Sequence, residues 1–291
     1  MKKIKITAIS LLIIAALAAW LFVLWKQNII NLSSLQKEEK IERVYTQFES
    51  FKDLNKKKEE HIITKDGKIK LEYNTYQGTI GYSDFDITYP EIYGLSNKEF
   101  EINLNRKIQE SCKETYDRMN EITNAVEDEI YSAKEKNDYE LVQKREEALQ
   151  AGIKSYYDSG VEYWINGDIL SIVILTHIYG FGAAHPLSWI DTYNVDLNNN
   201  KILQLSDLIS DKNGTQKILE EVNRQIEERE IYIFNSSEGK NQLEELEDPQ
   251  YYIKDNTLII HYNPYDITAY AAGHIEFEMP YQFKNNHFIV K

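Results

Sequence analysis

The chain has 291 residues, 42% of them apolar and 27% charged, which argues against disorder and leaves room for two domains of ordinary size. A single cysteine rules out an intrachain disulfide and a cysteine-based zinc cluster. The net charge of −14 becomes −17 (30 basic against 47 acidic residues) once Lys2, Lys3 and Lys5 are set aside, which argues against a nucleic-acid backbone as ligand and for a cationic partner.

Residues 6–25 are apolar except for Thr7 and Ser10. At about 1.5 Å per residue they reach roughly 30 Å, the thickness of a bilayer core. Lys2, Lys3 and Lys5 precede the run and only Lys26 follows closely, so the positive-inside bias places the amino terminus in the cytoplasm and the body outside. Ala16-Leu17-Ala18 has the small-x-small pattern of a cleavage site, but Trp20 and further apolar residues follow at once, so an uncleaved signal anchor is expected over 1–25.

Residues 26–60 are charged, with Ile41, Val44, Phe48 and Phe51 at helical spacing, and predict a helical stalk ending in a solvated Lys56-Lys57-Lys58-Glu59-Glu60. From residue 62 the pattern turns to strands: 68–73 alternates with period two, and Tyr89-Pro90 and Gly94 punctuate the end. Ser96 with Glu99 reads as a capping box opening a long helix. Its stripe is Phe100, Leu104, Ile108, Cys112, Tyr116, Met119, Ile122, Val126 and Ile130, and Cys112 inside it reads as a core hydrophobe. The charged 134–150 continues as helix or linker.

Strands return near Val161. The run 168–178 is apolar on both faces, as a central strand is, and 189–197 follows before an Asn198-Asn199-Asn200 turn. A second helix starts at 211–213 with Ile218, Leu219, Val222 and Ile226 on one face. Strands at 251–253, 257–262 and 273–280 close the chain. The blocks are segregated, so the fold class is α+β: two adjoining subdomains at 61–155 and 156–291, each with antiparallel strands and one main helix.

His177, His185, His261 and His274 lie in the second half and, with Asp191 and Asp266, could make a metal or acid/base site. None stands at metal-motif spacing, and H-x-x-x-H, H-E-x-x-H, C-x-x-C and G-x-S-x-G are all absent. No catalytic residue, metal or cofactor is therefore expected. Two loops stand out instead. Residues 180–186 form a small-residue turn ending in His185-Pro186. Residues 263–273 join two strands and present Pro264, Tyr265, Asp266 and Tyr270 among small neighbours; tyrosines give broad contact area at low entropy cost, and the competing reading is a buried crossover.

Tyr-Gly-Phe-Gly-Ala-Ala-His-Pro at 179–186, Tyr-Asn-Val-Asp at 193–196, Leu-Ser-Asp-Leu at 205–208, Tyr-Tyr-Ile at 251–253 and Asn-Pro-Tyr-Asp-Ile-Thr-Ala-Tyr-Ala-Ala-Gly at 263–273 together resemble one bacterial extracellular domain family. That family forms the ectodomain of lysozyme-sensing anti-sigma factors and related domains precede the catalytic domain of certain peptidoglycan deacetylases. Ile-Thr-Tyr-Pro-Glu-Ile-Tyr-Gly at 87–94 and the long helix resemble its partner domain, so the likeness covers about 61–285. Two departures matter. The tail before the anchor is about five residues, too short for an anti-sigma domain, and no deacetylase domain with paired Asp and H-x-x-x-H follows. The resemblance implies a binding ectodomain on a membrane anchor, with lysozyme-like protein or cell-wall glycan as partner and His185, Pro264, Tyr265, Asp266 and Tyr270 as contact residues. The alternatives are a cell-wall hydrolase or deacetylase using His185 with Asp191 or Asp266, and an envelope-stress receptor.

Overall fold

The computed structural model describes residues 55–80, 83–209, 213–234 and 249–289. The anchor expected at 6–25 and the stalk seam Ile41, Val44, Phe48 and Phe51 lie outside them. Among the described residues no helix is long and apolar enough to cross a membrane.

The fold is mixed α+β with largely antiparallel sheets. Strands β1 (Asn55–Ile62), β2 (Lys70–Ile80), β3 (Ser83–Tyr93), β4 (Ser155–Asn166), β5 (Ile169–Tyr179), β6 (Leu187–Asp196) and β7 (Lys201–Ile202) form one sheet in chain order. β1 replaces the expected end of the helical stalk. Its Lys58 and Glu60 pair across the strand with Glu72 and Lys70, and alternating charges on a solvated edge suit a strand that must not recruit another.

All neighbours are antiparallel except β3 and β4, which pair in parallel over only five residues, from Ser83↔Ser155 to Ile87↔Ser159. A parallel pair needs a long crossover, here helices α1 (Lys98–Glu135) and α2 (Tyr139–Gln150). One sheet therefore runs through the expected boundary at 155/156. Where the ladder stops, side chains take over. The Ser159 hydroxyl accepts from Thr88 N (2.9 Å) and donates to Thr88 O (2.9 Å), and the Asn105 amide of α1 does the same for Ile92 N (2.8 Å) and O (2.9 Å). Pro90 sits between them with no N–H to satisfy, so β3 runs through Tyr89-Pro90 rather than ending there.

α1 starts one residue later than the capping box predicts. The Asn97 side chain accepts from Phe100 N, while Ser96 accepts from Asn200 on the β6–β7 turn. Leu104, Ile108, Cys112, Val126 and Ile130 of its stripe are buried, and Cys112 is a core thiol whose pKa burial raises to about 12.

A second sheet, ordered β10 (Ile275–Glu278), β9 (Thr257–Tyr262), β8 (Gln250–Lys254), packs on the face of β4–β6 away from α1. Helices α3 (Leu205–Leu208) and α4 (Gly214–Glu228), with the hairpin β11 (Gln282–Lys284) and β12 (His287–Ile289), cover its other side through Leu205, Leu208, Ile218, Val222, Ile226 and Phe288. β8 is an edge strand, yet its backbone is satisfied from the main sheet. Asn166 donates to Ile253 O (2.9 Å), Ser171 accepts from Ile253 N (3.0 Å) and Asn194 donates to Tyr251 O (2.7 Å).

Candidate functional site

The end of β5, the turn into β6 and the loop from β9 to β10 meet at one end of the two sheets. Ile190 N donates to Asn263 Oδ1 (2.7 Å), which roots the second loop on β6. The loop opens with a reciprocal turn: Asp266 N donates to Asn263 O (3.0 Å) and Asn263 N to the Asp266 carboxylate (2.7 Å). Ile267 and Thr268 are buried and hold the middle, and a 3₁₀ turn at Tyr270–Ala272 precedes Gly273 at φ +69°. The segment is thus half anchor and half display.

Tyr265 is 51% exposed and stands at φ +75°, a conformation a large side chain rarely adopts. It is held there by local contacts. Tyr265 Oη lies 3.2 Å from His185 Nε2, and the His185 ring stacks on Tyr270 with centroids 3.8 Å apart. His185 Nδ1 lies 2.9 Å from Pro186 O, an atom that only accepts, so Nδ1 donates there and Nε2 is left to face the Tyr265 hydroxyl. His185, Tyr265 and Tyr270 are therefore brought together. Pro264 is half-buried in the same turn. Asp266 closes the turn rather than facing His185, and burial raises its pKa against the opposing Asn263 bond. Asp191 faces α1, where Ser111 donates to it (2.9 Å), and burial raises it too. Tyr156, 39% exposed and stacked on Tyr179, extends the aromatic surface; sequence reasoning missed both, because their pairing follows from the β4–β5 register.

Beneath this surface lies a polar chain. His177 donates from Nδ1 to Asp158 (3.2 Å). On the same row Ser188 Oγ is 2.9 Å from His274 Nε2, and His274 Nδ1 is 3.2 Å from His261 Nε2. His261 is 1% exposed, and desolvation, with His274 beside it, lowers its pKa to about 4. His274 is lowered by burial and by His177. His261 Nδ1 has no partner among the described residues. An orphan lone pair costs less than an orphan N–H. With its proton on Nε2, His261 donates to His274 Nδ1, and His274 then donates from Nε2 to Ser188. In that tautomer the Ser188 hydroxyl accepts the bond. Among the described residues no group of three or more His, Cys, Asp or Glu is placed to hold a metal ion.

Residues 206–282 match the family model described as protein of unknown function (DUF3298). The resemblance read from the sequence motifs holds at the level of this domain, and neither an anti-sigma nor a deacetylase part is shown. Among solved structures, a DUF3298 family member from Bacteroides fragilis is similar at 18% identity, covering 73% of this chain and 90% of that one, with a TM-score of 0.48. A DUF3298 family protein from Pseudomonas aeruginosa is similar at 13% identity, covering 82% and 97%, with a TM-score of 0.39. No curated protein matches the chain.

Proposed function

We propose that this chain is a membrane-anchored extracellular binding protein of the bacterial cell envelope, held by residues 6–25, which grips a cationic lysozyme-like protein or peptidoglycan and is not an enzyme. The observation that carries the reading is the displayed aromatic surface: Tyr265 is half exposed in a left-handed turn and braced by His185 and Tyr270. Rigid tyrosines offered to solvent at an energetic cost to the backbone suit a contact surface better than a core. The net charge of −14 supports a cationic partner.

The test is binding of the full chain to hen-type lysozyme and to peptidoglycan fragments at low salt. Tyr265→Asn and Tyr270→Ala are expected to weaken binding about tenfold or more while the melting temperature stays within a few degrees. Absence of binding to both, or unchanged binding by the variants, would overturn the proposal. The hydrolase alternative needs His185 beside Asp191 or Asp266, and against it Asp191 is bonded to Ser111 of α1 while Asp266 closes the turn at Asn263.

A further inference from the structure

Where β8 crosses the main sheet a cleft of about 370 Å³ opens between the two layers. Trp164 of β4 forms one wall, stacked on Tyr252 of β8 with centroids 5.4 Å apart. Glu162 and Glu276 also line the cleft, and Val173, Leu175 and Ile190 make its aliphatic floor. The Tyr252 hydroxyl donates to one oxygen of Glu276 (2.8 Å), which leaves the second oxygen with acceptor capacity. The ammonium of Lys254, an exposed residue, stands over the Trp164 ring at 5.1 Å.

We propose that this cleft is a second contact site, one that takes an arginine side chain of a cationic polypeptide partner. Its parts match that group separately. The aliphatic floor suits the methylene stem, the indole face attracts the cation, and Glu162 and Glu276 supply opposite charge. Lys254 acts as an internal stand-in, showing that a cation is drawn to the ring, and its flexible side chain is free to leave. A guanidinium competes well with it, being planar, less strongly hydrated and able to bond a carboxylate while stacked. Gly160, central in β4, keeps the cleft open: a Cβ there would meet nothing within 4 Å. A glycine inside a strand normally weakens it, so the open space has a cost that an occupant would explain. The cleft connects to the displayed loop through Ile190, whose N–H holds Asn263.

The identity of the partner as a cationic protein rests on the reading above; the chemistry of the cleft does not. The test titrates the full chain with acetyl-arginine amide, its neutral isostere acetyl-citrulline amide, and chitotetraose, following the Trp164 indole N–H signal by NMR. The arginine amide is expected to shift that signal and to bind about tenfold more tightly than the citrulline amide. Gly160→Val should fill the cleft and abolish the shift while the melting temperature stays within about 2 °C or rises, valine being the better strand former. Lys254→Met should tighten arginine binding several-fold by removing the competitor. An equal response to citrulline, a response to chitotetraose with none to arginine, or arginine binding retained in Gly160→Val would overturn the proposal. The signal followed reports on the cleft at Trp164 and not on the Tyr265 loop, so its failure to shift leaves lysozyme binding by the wild-type chain untouched. Failure of lysozyme binding, in turn, would leave the arginine response intact.

Discussion

His261 makes stability depend on pH through one ring. In the unfolded chain an imidazole titrates near 6.5, and in the fold His261 does so only near 4. Between those values the unfolded chain binds more protons, so stability is full above about 6.5, falls as pH drops through the window, and levels off below about 4. His274 acts with the same sign, while Asp191 and Asp266, raised by burial, oppose it toward the acid end. We predict a loss of roughly 2 kcal/mol between pH 7 and pH 5, measured as urea midpoints, and a flatter profile in His261→Phe. Gly94 is a second position governed by backbone. It stands at φ +95° and a Cβ would lie 1.9 Å from Lys68 O, so Gly94→Ala should cost about 2–4 kcal/mol by thermal melting. The loop residues were legible in the sequence because small and aromatic side chains cluster there. The buried histidine chain was not: Ser188 and His274 are joined only by the packing of two sheets, and no local pattern carries that.

At the scale of elements, much of the helix and strand order was legible because periodicity is a local property. The 3.6-residue stripe located α1, the doubly apolar run located β5, and the face of Ile218, Val222 and Ile226 located α4. β11 and β12 were missed although Asn285 and Asn286, at φ 52° and 61°, form the Asn-rich turn that a tight hairpin favours. Pro90 misled because its missing donor reads as a break, and only the divergence of β3 from β4 makes that donor unnecessary. The same divergence predicts where the sheet is vulnerable. Asn105→Leu removes the partner of both Ile92 backbone groups and should destabilise by about 1–3 kcal/mol, as should Ser171→Ala, which uncovers Ile253 N on the edge of β8. Denaturant unfolding of each variant checks both, with near-neutral outcomes counting against the view that side chains replace missing strands.

For the whole molecule, charge decides how a partner arrives. Attraction between a body of this charge and a cationic protein is long-ranged at low ionic strength and screened beyond about 8 Å at physiological salt. Under the proposed function, association with lysozyme should therefore slow by about tenfold or more between 20 and 300 mM salt by stopped-flow, with a much smaller change in dissociation. That composition-level expectation needs no structure, whereas the cleft at Trp164 exists only once β8 lies across β4. The parallel pairing of β3 with β4 has a consequence for synthesis. Hairpins β1–β2 and β2–β3 can close as they emerge, but β3 waits for residues 155–159, on the far side of both helices. A growing chain carries that strand half-matched through the making of some sixty residues, several seconds at ordinary translation speed; Asn105 is at hand early to close over Ile92, but the serine that closes over Thr88 arrives only with β4.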